Sequence, residues 1–131
     1  MAHWRASTAG VKFHTRYPHL SPSDFLAHTA TLSKSRAVLL FRLVIGHVHL
    51  RQHLHRLRAA DLPMCENCPA QPESVVHFLL RCPKYNNERH SHLGSRGRDY
   101  LRLDFLFSDP EALSPLFDYI KATGRFIDTL R

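Results

Sequence analysis

Apolar residues crowd into Val38-Leu39-Leu40-Phe41-Arg42-Leu43-Val44-Ile45, where a single arginine interrupts the run. A helix that is apolar nearly all round belongs at the centre of a fold. Ser33 or Ser35 is placed to cap it and Gly46 to end it. The β-branched Val44 and Ile45 leave a buried strand as the competing reading. Over 49–59 the pattern changes. Leu50, Leu54 and Leu57 recur at i, i+4 and i+7, with Arg51, His55 and Arg58 one position along, which predicts a helix with leucines inward and basic residues beside them.

Other segments read the same way. Ser21-Pro22-Ser23-Asp24 opens a short helix that runs to about Leu32, with its cap, first-turn proline and early acid. Val75, Val76, Leu79 and Leu80 fit another, begun near Pro72-Glu73. Residues 84–93, 100–107 and 110–123 predict three more, the last opened by Ser108-Asp109-Pro110 and stopped near Gly124. Residues 1–20 have no period and read as a flexible extension. The expectation is therefore an all-α, small multi-helix domain over 21–131.

Composition narrows the class. The 131 residues are 44% hydrophobic, enough for one modest core, and no apolar run approaches the ~18 residues of a membrane span. The first twenty residues hold no continuous apolar segment of the secretory kind, so a soluble intracellular protein, nuclear or cytoplasmic and not secreted, is expected. Three cysteines cannot all pair within one chain, which favours reduced thiols with another task. The net charge is +7, and 25–60 alone contributes +6 because it contains no acid. Its Lys34, Arg36, Arg42, Arg51, Arg56 and Arg58 are joined by His28, His47, His49, His53 and His55. Such a stretch suits a polyanion or makes a solvated helix face.

The most specific chemistry lies in Cys65-x2-Cys68-x8-His77-x4-Cys82. Three thiolates and one imidazole match a closed tetrahedral zinc site, structural because no position is left for a catalytic water. The two-residue gap lets Cys65 and Cys68 grip an ion from a tight turn. His77 and Cys82, a helical turn and a residue apart, meet the same ion if the helix ends near Arg81. Taken singly, the CxxC is also compatible with a redox pair, His77 with a hydrogen-bonded core histidine and Cys82 with buried packing. His49 and His53 share a helix face but have no carboxylate or thiol nearby to complete a second metal set. The acids are scattered, and no GxSxG, phosphate-binding loop or glycine-rich turn is present, so an enzyme is not expected.

Several separated motifs carry a resemblance: 39–50, His53-Leu54-His55-Arg56-Leu57, Cys65-x2-Cys68, Val76-His77-Phe78-Leu79-Leu80-x-Cys82-Pro83-x-Tyr85 with Arg89, and Ala122-Thr123-Gly124-Arg125-Phe126. In this order they resemble the C-terminal region of fungal non-LTR (LINE-type) retrotransposon polyproteins, where it follows reverse transcriptase and ribonuclease H domains. The likeness covers about residues 22–127. It implies a helical zinc-binding tail with Cys65, Cys68, His77 and Cys82 as CCHC ligands, engaging template RNA or target DNA. Where that family often has a polar Arg-Thr before Gly-His, this chain has Val44-Ile45.

The leading functional expectation is a nucleic-acid-binding module. Arg51, His55, Arg56, Arg58, Lys84 and Arg89 would form a basic surface, with Tyr85 as a base-stacking face. The alternative is a protein-interaction module that docks on a reverse transcriptase or ribonuclease H domain through Phe105, Leu106 and Phe107 or Phe117 and Tyr119. An inactive retroelement remnant is the third.

Overall fold

Ser33 and Gly46 bound the central helix as their chemistry requires. The Ser33 hydroxyl accepts the Arg36 N–H at 3.3 Å, and Gly46 takes a left-handed φ of 78° while its N–H and that of His47 close on the Leu43 and Arg42 carbonyls. In the computed structural model, which describes residues 22–130, this helix (α2, Lys34–Ile45) buries Leu39, Leu40, Leu43 and Val44 completely. The strand reading is thereby set aside. Arg42 and Val38 face outward, so α2 is central on one side only. Val44 is core. The expected extension over 1–20 lies outside the described residues.

The remaining elements follow in chain order. Helix α1 (Pro22–Thr29) precedes α2, and α3 (Arg51–Arg56) follows it. A hairpin of β1 (Met64–Cys65) and β2 (Cys68–Pro72) comes next, then a π-helical turn over His77–Arg81 and a 3-10 turn over Pro83–Tyr85. After α4 (Asn86–His92) come α5 (Leu103–Ser108), α6 (Leu113–Thr123) and α7 (Ile127–Leu130). The chain is mostly helical, but the two-stranded antiparallel hairpin corrects the all-α expectation. Several helices are also shorter than their periodicity suggests. Helix α3 stops at Arg56 and leaves Leu57 61% exposed, so of the expected leucine stripe only Leu50 is fully inside.

One apolar cluster holds these pieces together. It joins α2 to Leu106 and Phe107 of α5, to Leu116, Phe117, Tyr119 and Ile120 of α6, and to Phe78 and Leu79 of the π turn. Helix α6 packs on α4, and α7 returns to α2. Phe117, Tyr119, Leu106 and Phe107 are all buried and Phe105 partly so, so these side chains are core and not a bare docking face. Among the described residues no helix is long and apolar enough to cross a membrane.

A polar junction ties distant segments to this core. Glu73, 5% exposed, accepts the Arg51 backbone N–H at 2.9 Å and so supplies the N-terminal cap that Leu50 cannot give α3. The same carboxylate takes two hydrogen bonds from the Arg125 guanidinium, at 3.1 and 3.3 Å. Burial alone would raise the Glu73 carboxyl. The hydrogen bonds from Arg125 and Arg51, with their charges, outweigh burial and hold it below its ordinary value of 4.5. A carboxyl held lower in the folded than in the unfolded chain stabilises above the unfolded value and loses that contribution as pH falls through the folded one. Glu73→Gln should therefore cost roughly 2 kcal/mol near neutrality. The gap between wild type and variant in urea unfolding should close as pH falls below 4.5.

Candidate metal centre

The hairpin places the first two cysteines. Cys65 pairs with Cys68 across a two-residue Glu66-Asn67 turn, with an irregularity between Met64 and Cys65. Among the described non-glycine residues only Arg58 and Phe126 have positive φ. The turn is therefore not the primed kind that matches strand twist in a free hairpin. An isolated two-stranded ribbon is marginal in water, and this one is tied to the rest of the fold through the buried Cys65 and the backbone of Glu73.

The third and fourth side chains come from the π turn. The Ser74 hydroxyl accepts the His77 N–H at 3.1 Å and starts the helical segment. Five residues on an α-helix are about 140° apart around the axis, which would point His77 and Cys82 to different sides. Here the Cys82 N–H bonds the His77 carbonyl at 2.7 Å, an i to i+5 closure whose wider turn returns Cys82 towards the face of His77. Cys82 itself is extended (φ −61°, ψ 120°), and Pro83 ends the ladder because it has no N–H.

The ligand atoms of Cys65, Cys68, His77 and Cys82 all lie within 4.8 Å of one another. The Cys65 and Cys82 sulfurs are 3.9 Å apart, far longer than a disulfide, and all three cysteines are free. Two sulfurs at ~2.3 Å from a tetrahedral ion stand ~3.8 Å apart, so the spacing already suits a metal. His77 Nε2 is buried and has no protein partner, which is how a ligand nitrogen looks before its ion is counted. Burial lowers the His77 pKa, against the pull of Glu73 and with help from Arg89 and Arg81, and keeps the ring in its neutral, coordinating form. Burial also pushes the Cys82 thiol up to about 11. The Lys84 backbone N–H opposes that rise, and Cys65 and Cys68 add to it. Crowded thiols resist ionising together until a cation stands among them. The Cys3His group can hold a metal ion.

The π turn and the proline that follows it leave backbone acceptors free, and the structure satisfies them from other elements. The Phe78 carbonyl, without its usual i+4 donor, accepts from the Tyr119 hydroxyl at 2.6 Å and Arg89 Nη2 at 3.3 Å. The Leu79 carbonyl faces a proline and accepts from Arg89 Nε at 2.8 Å. Arg89 Nη1 reaches the Cys82 carbonyl at 3.1 Å and Asn86 Oδ1 at 2.9 Å, and Nη2 meets the Tyr119 oxygen at 3.2 Å. Burial raises the Tyr119 pKa above its ordinary range despite the nearby Arg89 charge, so it stays a neutral donor.

The expected nucleic-acid residues separate into two groups. His55, Arg56, Arg58 and Lys84 are exposed. Arg51 is partly exposed and pairs with Glu66 of the CxxC turn at 2.8 Å. Tyr85 and Arg89 are corrected to the interior, 5% and 6% exposed. Tyr85 sets its ring edge against Phe78, and the donors of Arg89 are committed to protein acceptors. The signal that marks them is positional: Tyr85, Arg89 and Leu93 recur every four residues and define one buried stripe. Glu73, Arg125 and Tyr119 were not singled out by sequence for these polar roles, and their pairings span too much chain to leave a local pattern. Of the second histidine group, His47 and His53 stack with ring centres 4.9 Å apart.

No protein-family model matches the chain, no curated protein is significantly similar to it, and no solved structure matches it significantly.

Elemental analysis of purified protein should find one divalent ion per chain. Removing that ion with a strong chelator should abolish the cooperative thermal transition, and an apo form with an unchanged midpoint would count against the metal.

Proposed function

We propose that the chain is a zinc-binding, nucleic-acid-binding module organised around one structural zinc held by Cys65, Cys68, His77 and Cys82. The donor set favours this ion: three thiolates and an imidazole suit zinc, and hard oxygen-seeking cations find no ligand here. Binding of this kind contributes ~10–16 kcal/mol in small zinc domains, comparable to a domain's whole stability of ~5–15 kcal/mol. With four protein ligands the ion has no open position, so its task is to fix backbone and not to activate water.

The observation that carries the nucleic-acid reading is the attachment of α3 to the metal-bearing hairpin. Glu73, just past β2, caps the start of α3, and Glu66 in the CxxC turn holds the Arg51 side chain. The exposed His55 and Arg56, with Arg58 just past the end of α3, are thus presented from a helix fixed to the centre, and the exposed Lys84 follows Cys82 by two residues. Glu66 is the exposed member of its pair with the half-buried Arg51, so an arriving phosphate can replace it at little cost. On this reading the partner is RNA or DNA, and reverse transcriptase and ribonuclease H domains are the partners of the alternative, docking reading. The aromatic side chains expected of a docking face lie in the core instead, which weighs against the alternative.

Arg58 adds a second support. It closes α3 in a left-handed conformation (φ 60°), with its N–H on the His55 carbonyl and the Ala59 N–H on the Leu54 carbonyl. Glycine is the residue that suits this position, so the arginine found there carries local strain and places a long cation at the end of α3. Arg58→Gly should stabilise the fold by about 1 kcal/mol while weakening nucleic-acid binding. Binding to RNA and DNA should fall steeply with salt. Replacing Arg56 and Arg58 by alanine should reduce the slope of log affinity against log salt by about 1.4–1.8. Salt-independent binding, or an unchanged slope, would defeat the proposal.

A further inference from the structure

Arg89 is the only lysine or arginine among the buried described residues. Its hydrogen-bond partners are all neutral: the carbonyls of Phe78, Leu79 and Cys82, the Asn86 amide and the Tyr119 hydroxyl. Among the described residues its guanidinium forms no ion pair, whereas Arg125 has Glu73. A buried cation without a counter-charge is strongly unfavourable. Carbonyls can be capped by neutral donors such as Asn, Gln or Tyr, so hydrogen bonding alone does not explain a full charge here. The missing anion is supplied if the neighbouring centre is itself negative. Three thiolates and a neutral imidazole around a divalent ion leave one net negative charge, and Arg89 Nη1 binds the carbonyl of the ligand Cys82.

We propose that Arg89 is the counter-cation of an anionic three-thiolate centre, which matches that centre to a divalent ion and to three thiolates over two. The proposal rests on the zinc reading above. Arg89 is a positioning residue: it touches the backbone of one ligand and compensates the charge of all four. The same guanidinium keeps the π turn open by satisfying the carbonyls of Phe78 and Leu79, so geometry and charge are set by one side chain.

A charge cycle separates this role from a purely structural one. Zinc affinity of the full chain is measured by chelator competition for wild type, Arg89→Met, Cys68→His and the double variant. Cys68 is the least buried of the three cysteines, and histidine in its place gives two thiolates and a neutral centre. Arg89→Met should lower zinc affinity by about tenfold or more in the three-thiolate protein, the range seen when outer-sphere partners of metals are lost. The same substitution should change affinity by less than about twofold beside the neutral centre. Arg89→Lys, which keeps the charge and loses the fork of hydrogen bonds, should recover part of the loss. An Arg89→Met chain that folds with zinc only in the Cys68→His background also supports the proposal. Equal losses in both backgrounds, or failure of both to fold at saturating zinc, overturn it and leave Arg89 as a carbonyl cap. A wild-type chain that takes up no zinc overturns the metal reading itself, a result visible before any variant is compared.

Discussion

Three thiols and an imidazole converge on one space with ligand atoms no more than 4.8 Å apart, and the backbone around them departs from regular structure at each point where that convergence demands it. The hairpin turns without the left-handed residues a free hairpin uses. The helix carrying His77 widens by a residue before releasing Cys82. That widening takes the donor from the Phe78 carbonyl, Pro83 offers none to Leu79, and a buried arginine and a buried tyrosine from other helices replace them. On the proposed reading a metal ion is the common cause of these departures, with a binding free energy large enough to hold a non-ideal turn and an open helix at once.

The parts of this arrangement that sequence reveals are local. Ser33, Gly46 and Gly124 mark helix ends through the conformations and hydrogen bonds of their own residues, and the structure uses them in those roles. The ligand set is readable by residue type, since few tasks other than metal binding use three cysteines and a histidine so closely spaced. The hairpin is not readable, because Cys68-Pro69-Ala70-Gln71-Pro72 has neither alternation nor β-branched residues. The interior position of Arg89 runs against the general exposure of arginine. Its spacing from Tyr85 and Leu93 is visible in the sequence, but it gains meaning only once those neighbours are known to be core.

Glu73 shows how a single carboxylate can serve three segments. Its backbone N–H bonds Pro63 at the start of the hairpin, its carbonyl accepts from Gln52, and its side chain binds both the first turn of α3 and Arg125. Tension on any of these segments is therefore felt by the others. The basic helix is oriented through the hairpin, so the order of the hairpin and the direction in which Arg56 and Arg58 point are one property.

Arg125 lies beyond the natural end of α6, after the left-handed Gly124, where a fragment of the domain would ordinarily be cut. It nevertheless clasps Glu73 across more than fifty residues of chain and lies against the Phe78 and Phe126 rings. The smallest autonomous unit is thus defined by a clasp and not by a helix boundary. A fragment ending at Thr123 would keep the whole Cys3His group and every helix through α6, yet it would remove the guanidinium that hydrogen-bonds the buried Glu73 carboxylate at the joint that orients the basic helix.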